Sequence, residues 1–260
     1  MNSIKRPLIL VVNDDGINAK GIRLMIEVMN RLGDVIVVAP NSPQSGMSSA
    51  ISINRPVSYN RVNLDKTPQI EYACEGTPVD CVKLAINNIL DRKPDLCVSG
   101  INHGSNSSIN VLYSGTMAAA IEGSLDDIPS IGFSLLDECE DADFSEAMLF
   151  VERISKKILS DGLNKGICLN VNIPKKSSVK IAGIKVCRQA KANWKEEFKS
   201  TGNLNVSNEF YLKGKFINYD SGKDTDLWAL ENNFVSVVPI NIDLTSYKSI
   251  DFVSKIFNNE

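Results

Sequence analysis

The chain has 260 residues, 43% of them apolar, with 28 Lys and Arg set against 31 Asp and Glu and a single histidine. That length buries a sizeable core, as one large α/β domain or as one domain carrying a smaller appendage. A net charge of −3 excludes a basic field for nucleic-acid backbones, and one imidazole, His103, excludes chemistry that needs several histidines as ligands or phosphoryl acceptors.

No apolar run approaches the roughly 18 to 20 residues of a membrane span. Lys5-Arg6 precede only a short apolar run that ends in Asn-Asp-Asp, which is not a signal peptide. Six cysteines (74, 81, 97, 139, 168 and 187) occur without a C-x-x-C, as expected for reduced thiols in a cytoplasmic protein. Neither G-x-x-x-x-G-K-[ST] nor G-x-G-x-x-G is present, and no cysteine has an arginine six positions later. The chemistry left is that of oxygen ligands.

Leu8-Ile9-Leu10-Val11-Val12 is a continuous apolar run and predicts a strand buried on both faces of a parallel sheet. It ends in Asn13-Asp14-Asp15-Gly16. Two adjacent carboxylates at a strand end suit a divalent cation; the alternative is a hairpin turn with both acids solvated. A helical pattern follows from Ala19 to Leu32, with Ile22, Met25, Ile26 and Met29 on one face, and this disfavours the hairpin. Asp34 to Pro40 is a second buried strand. A Ser-rich stretch, Asn41 to Ser49, leads to alternating segments around Ile51 to Val57 and Gln69 to Cys74.

Thr77-Pro78-Val79-Asp80 is a helix start: Thr77 as N-cap, Pro78 in the first position and Asp80 reaching back. The helix extends to about Leu90. Asp95 to Gly100 is a third core strand, ending in Ser99-Gly100-Ile101-Asn102-His103-Gly104-Ser105-Asn106. Ser114-Gly115-Thr116 opens a small-residue helix. Pro129 to Leu135 is a strand and Phe144 to Leu159 an amphipathic helix. The β-α-β order predicts an α/β fold with a Rossmann-like, doubly wound, mostly parallel sheet. Beyond Gly166 the pattern turns β-rich. Ile167 to Pro174, Val179 to Cys187, Phe210 to Tyr219 and Val235 to Pro239 are expected to be extended, and Asp226 to Glu231 a short helix. The expectation is a core over about 1–187 and an arm plus C-terminal segment over about 188–260, within a single domain.

In such a fold the turns after the first, second and third core strands lie on one rim. Carboxylate, amide and hydroxyl oxygens from those turns suit Mg²⁺ or Mn²⁺. Gly46, Gly100 and Gly104 would let backbone N–H groups approach a phosphate. Ser114-Gly115-Thr116, at a helix N-terminus, is a second anion cradle or simply an N-cap.

Five segments carry a family resemblance: Asn13-Asp14-Asp15-Gly16-Ile17; Val38-Ala39-Pro40 followed by Ser45-Gly46; Gly76-Thr77-Pro78-Val79-Asp80-Cys81-Val82; Ser99-Gly100-Ile101-Asn102-x-Gly104-x-Asn106; and Tyr113-Ser114-Gly115-Thr116. They resemble the stationary-phase survival protein E (SurE) family, as do Arg188-Gln189 with Trp194 and Thr225-Asp226 before Val235-Ser236-Val237-Val238-Pro239. The resemblance implies a divalent-metal-dependent phosphatase acting on nucleoside 5′- and 3′-monophosphates and, in some members, on short polyphosphate. It implies one Mg²⁺ or Mn²⁺ per subunit at Asp14, Asp15, Ser45 and Asn102. A phosphate pocket would be lined by Gly46, Asn106, Ser114, Gly115 and Thr116, with Asp14, Asp15 and Asn102 in catalytic roles. It also implies a C-terminal hairpin arm exchanged between subunits of a homodimer or homotetramer. The sequence departs from the family pattern at Gln44, where an arginine is common, and at Ser105, Ser107 and Ser108; His103 occupies a variable position.

Metal-assisted attack of water on a phosphomonoester is therefore the expected chemistry, with no partnership with nucleic-acid polymers or membranes. A phosphoaspartyl route prefers D-x-D after the opening strand, and those triplets lie elsewhere, at Asp141 to Asp143 and Asp224 to Asp226. His103 either protonates the leaving oxygen or is a bystander; Tyr113 and Trp194 are aromatic candidates for stacking on a base. Two other classes compete. A receiver-like phosphoacceptor switch would need an acceptor Asp where Ser99-Gly100 stands. A non-catalytic nucleotide-binding or assembly protein would keep the pocket without turnover.

Overall fold

The computed structural model describes residues 5–65, 67–202 and 208–258. Its strands are β1 (Leu8–Val12), β2 (Asp34–Pro40), β3 (Tyr59–Val62), β4 (Ile70–Cys74), β5 (Leu96–His103), β6 (Ser130–Leu135), β7 (Ile167–Ile173), β8 (Gly183–Val186), β9 (Ala192–Ser200), β10 (Phe210–Asn218) and β11 (Phe234–Asn241). Its α-helices are α1 (Lys20–Leu32), α2 (Pro78–Leu84), α3 (Gly115–Leu125), α4 (Ser145–Asp161), α5 (Asp226–Glu231) and α6 (Ile250–Phe257).

Alternate residues of β1 face opposite ways. Ile9 and Val11 join one apolar cluster; Leu10 and Val12 join another. A strand apolar on both faces needs a helical layer on each side. Residues of α1 and α4 supply the first layer, those of α2 and α3 the second. The result is a nine-stranded sheet in the order β3-β4-β2-β1-β5-β6-β7-β11-β8. The strands from β4 to β7 run parallel, and the order reverses direction between β1 and β5. At that reversal the loops leave to opposite faces and open a crevice beyond the strand ends.

Two local features shape the rim of that crevice. A Cβ on Gly21 would come within 2.1 Å of the Ile101 carbonyl oxygen, so α1 rests directly on the backbone of β5. Only glycine permits that approach. Along β5 the pairing register with β6 shifts between Ser99 and Asn102, and the Gly100–Ile101 peptide is cis. Such an irregularity re-aims the side chains that follow it.

The extended segment expected over Ile51 to Val57 is irregular. Antiparallel pairing with β4 begins at Tyr59 instead. Arg55-Pro56 interrupts the alternation, because proline lacks the donor a ladder needs. Downstream, β11 pairs antiparallel with β7 and parallel with β8, so these strands extend the main sheet. Only β9 and β10 leave it, as an antiparallel hairpin running from Ala192↔Asn218 to Ser200↔Phe210. Residues 203–207, within the polar sequence between Lys191 and Asn208, lie outside the described residues. The C-terminal α6 was not foreseen; none of its residues is buried. No helix among the described residues is long and apolar enough to cross a membrane.

The hairpin is anchored at its base. Arg188 forms ion pairs with Asp220 (2.6 Å) and Asp224 (2.8 Å). The Asp226 carboxylate accepts from the backbone N–H groups of Ser108 (2.7 Å) and Ala190 (3.0 Å), which ties the arm to the loop following β5.

The α2 start forms a complete capping box. Thr77 Oγ1 accepts from Asp80 N–H (3.1 Å) and Asp80 Oδ2 accepts from Thr77 N–H (2.9 Å). The same carboxylate accepts from Ser52 N–H (3.0 Å) and Ser52 Oγ (2.7 Å), pinning the loop after β2. Burial opposes the Asp80 charge, but these donors outweigh it and hold its pKa below the ordinary range. Asp80→Ala is expected to cost about 1–3 kcal/mol at pH 7, measured by urea unfolding. Because the folded pKa is depressed, this contribution is present above the unfolded value of about 3.9 and is lost as pH falls through the folded one. The gap between variant and wild type should therefore shrink in acid; a gap that widens there would overturn the assignment.

Candidate active site

A cavity of about 700 Å³ opens at the crevice. Its acidic wall carries Asp14 and Asp15 from the end of β1, Ser45 and Gly46 from the loop after β2, and Asn102, Asn106 and Ser114 from the region between β5 and α3. The opposite wall includes Trp194 and Phe216 from the arm, together with Leu227 and Leu230 of α5.

The turn at Asp14 is closed by Asn13, whose Nδ2 donates to the Gly16 carbonyl at 2.8 Å. The loop after β2 is bound to it, because Gln44 N–H donates to the Asp14 carbonyl at 2.7 Å. The Asp14 carboxylate points at the N-terminus of α3, where Thr116 Oγ1 donates to its Oδ1 at 2.5 Å. A Cβ on Gly115 would lie 2.8 Å from the Asp14 Cβ and 2.9 Å from its Oδ2. Asp14 is 3% exposed. Burial pushes its pKa up to about 6, against the pull of the Thr116 hydroxyl and with a further push from the Asp15 charge.

The cradle at Ser114-Gly115-Thr116 therefore already holds an anion, the carboxylate of Asp14. The three residues expected at a phosphate pocket are thus divided between the cavity and the helix behind it. Ser114 does face the cavity. Gly115 and Thr116 are buried behind Asp14. Ser114 is also the N-cap: its Oγ accepts from Met117 N–H at 3.0 Å, which leaves its own proton for a ligand.

Asp15 is raised too, mainly by burial, with His103 acting in the opposite sense. Its Oδ2 is buried with no hydrogen-bond partner among the described residues. Asn102 Nδ2 donates to the carbonyls of His103 and Gly104, each at 3.0 Å. Both partners are acceptors, so the amide nitrogen must face them, and Oδ1 is the free end. Ser45 and Gly46 sit on an exposed turn at the cavity mouth.

Among the described residues, the cavity wall contains four carboxylates (Asp14, Asp15, Glu138 and Glu231) and no lysine or arginine. Among the described residues no three His, Cys, Asp or Glu side chains cluster as a metal site. The donors gathered here are instead two carboxylates with amide and hydroxyl oxygens. That all-oxygen set, with an orphaned carboxylate oxygen, fits a hard divalent cation.

Two cavity residues, Asn110 and Phe216, carried no signal in the sequence. Asn110 accepts from Trp194 Nε1–H at 2.8 Å, which holds the indole at the mouth. Trp194 and Phe216 are cross-strand partners in the hairpin, with ring centroids 5.3 Å apart. That pairing required knowing the register. Tyr113, Trp194 and His103, weighed as candidates, all reach the cavity, and the His103 ring packs edge-on against Phe144 at 5.1 Å.

Comparison with known proteins bears on the same residues. The family model "Survival protein SurE" matches residues 9–196, which contain the entire acidic wall. The chain belongs to the SurE family. A relative from Christiangramia forsetii named 5′-nucleotidase SurE is 57% identical over 251 residues, covering 96% of each chain. One of the same name from Flavobacterium johnsoniae is 55% identical over 246 residues, covering 95% of each. The crystal structure of the SurE protein from Aquifex aeolicus superposes with a TM-score of 0.83 at 36% identity, over 96% of this chain and 100% of that one. The expected α/β class with its large, mostly parallel sheet is borne out.

Holding Asp14 as an anion falls to Thr116. In metal-free protein Thr116→Val is expected to raise the Asp14 pKa above about 6, because the lost hydroxyl stabilised the charged form. Carbon-13 NMR titration of the aspartate carboxyls reads it directly. An unchanged or lower value would show that the helix N-terminus holds Asp14 without the hydroxyl.

Proposed function

We propose that this protein is a 5′-nucleotidase, hydrolysing nucleoside 5′-monophosphates to nucleoside and orthophosphate with one divalent cation, Mg²⁺ or Mn²⁺, per subunit. In this reading nucleoside 3′-monophosphates and short polyphosphate are further substrates. One observation carries it: among the described residues the cavity wall holds four carboxylates and no lysine or arginine, so a phosphate dianion enters only with a cation. The name shared by relatives at 57% and 55% identity supports the same reaction.

Asp14 and Asp15 supply the charged ligands, and Asn102 Oδ1 and the Ser45 hydroxyl the neutral ones. A divalent cation bound there would offset the phosphate charge, polarise a phosphoryl oxygen and lower the barrier to attack by water. The Ser114 O–H, free because its oxygen already accepts from Met117, donates to a second phosphoryl oxygen. Asn106 donates from its carboxamide, and the turn at Gly46 closes over the phosphate at the mouth. These donors sit on a rigid frame and meet charge as it grows on the phosphoryl oxygens. His103, the one imidazole in the chain, is the residue type suited to proton transfer to the leaving oxygen. Across the cavity, Trp194, Phe216 and Tyr113 offer aromatic faces to the nucleoside.

The decisive assay is phosphate release from 5′-AMP and 3′-AMP by chelator-stripped protein, with Mn²⁺ or Mg²⁺ restored. Turnover is expected only with metal, and Asp14→Asn is expected to reduce it at least about 100-fold with the fold intact. Retained activity in that variant would sink the ligand assignment. AMP bound but never turned over would move the reading to a binding protein.

The arm and the C-terminal segment are assigned to self-association as a homodimer or homotetramer. Phe198 (72% exposed), Tyr211, Leu212 and Phe257 project as large apolar side chains from β9, β10 and α6, more than an isolated chain ordinarily leaves in water. Light scattering on the purified protein should give two or four chain masses; a single chain mass at micromolar concentration would overturn the assignment.

A further inference from the structure

The strand β7 carries two asparagines, Asn170 and Asn172, that are 1% and 0% exposed. Between them Val171 points into the opposite, apolar face with the α1–α4 layer. Two primary amides in a core strand are costly unless every hydrogen bond is made, and apolar residues of the same shape would pack there about as well. A strand that carries them where apolar residues would pack is a place to look for function.

The two amides form a closed ring around one residue of the site. Asn106 N–H donates to Asn172 Oδ1 at 2.8 Å. Asn172 Nδ2 donates to Asn170 Oδ1 at 2.8 Å. Asn170 Nδ2 donates back to the Asn106 carbonyl at 2.8 Å. Both backbone polar groups of Asn106 are thus held by one strand. Its side chain is held by the neighbouring one: Asn106 Nδ2 donates to Ser134 Oγ at 2.8 Å. The register pairs Ser134 directly with Asn172, which puts both on the same face of the sheet. One carboxamide N–H of Asn106 is spent on Ser134; the group has a second to offer the cavity that Asn106 lines.

We propose that Asn170, Asn172 and Ser134 are positioning residues for phosphate binding, fixing the Asn106 carboxamide against the rigid sheet so that it meets the phosphoryl group preorganised. None of the three lines the cavity, so each acts through Asn106. The inference rests on the phosphatase reading above. It predicts that damage to the ring weakens phosphate recognition and leaves the cation site alone, because Asp14, Asp15 and Asn102 take no part in it.

The test uses the full chain and three variants. Asn170→Asp puts a carboxylate oxygen against the Asn106 carbonyl; Ser134→Ala removes the hydroxyl that accepts from Asn106 Nδ2. Val171→Ala, in the same strand on the other face, is the control for lost stability. With AMP and Mn²⁺, Asn170→Asp is expected to lower kcat/KM by about 10- to 100-fold and to weaken orthophosphate inhibition in parallel. The Mn²⁺ concentration for half-activation should not move. Val171→Ala should lose thermal stability while keeping kcat/KM within about twofold, since it touches no site group. If Asn170→Asp loses no more turnover than Val171→Ala, or if its Mn²⁺ requirement rises in step with the loss, the proposal is overturned. Should Asn170→Asp fail to fold, Ser134→Ala must give the same pattern in smaller measure, and its absence overturns the proposal equally. A wild-type protein inert toward AMP would refute the phosphatase reading instead. Calorimetric binding of orthophosphate to the Mn²⁺-loaded wild type and variants then decides the ring by itself.

Discussion

The site depends on a carboxylate placed at the end of a helix. Asp14 is almost fully buried, which by itself would drive it neutral. Its charge is supported by the Thr116 hydroxyl and by the positive end of α3. Gly115 makes the contact possible, since any side chain there would occupy the place of the carboxylate. β1, which brings Asp14, and α3, which receives it, are separated by about a hundred residues of chain, yet each faces the other only if the whole parallel sheet is built. The sheet order that puts β1 beside β5 thus does more than bury apolar surface. It sets the distance between an acid and the helix that keeps it ionisable.

A second level of order surrounds that contact. The loop after β2 is fastened to the Asp14 carbonyl through Gln44, and α1 lies on the β5 backbone through Gly21. The loop between β5 and α3 is fastened to β7 by the asparagine ring and to α5 by Asp226. The last two fastenings satisfy backbone groups of the loop with buried side chains, which is the economical way to make an irregular loop rigid. Loops ordinarily trade precision for variability. Here the rim is tied to four different elements.

Much of this was legible in the residues. A five-residue apolar run ending in Asn-Asp-Asp could only be a buried strand leading to something charged. Thr77-Pro78-Val79-Asp80 announced its capping box, and Ser114 its role as N-cap, because caps are local and their chemistry is written in adjacent positions. Partnership at long range was not legible. The alternation of Val235 to Pro239 says that a strand exists; it does not say that β11 inserts between β7 and β8. The pairing of Trp194 with Phe216 depends on a strand register that no local pattern states, and 51–57 alternated convincingly until Arg55-Pro56 broke it. Asn170 and Asn172 read as ordinary members of a strand, since nothing in Leu-Asn-Val-Asn-Ile reveals which loop lies over them. The contact of Thr116 with Asp14 was hidden for a related reason: a helix N-terminus attracts anions, and the sequence could not say that the Asp14 carboxylate would lie against this one.

The two walls of the cavity differ in how they are held. The acidic wall is set in the middle of the parallel sheet, where opening requires disrupting the entire core. The aromatic wall is carried largely by a two-stranded hairpin whose residues are mostly exposed and which gains little from burial. In a single chain the second is therefore the first to loosen on warming. A nucleoside resting on it, as proposed, would be surrendered ahead of the phosphate, because grip and chemistry would be built on parts of unequal cohesion.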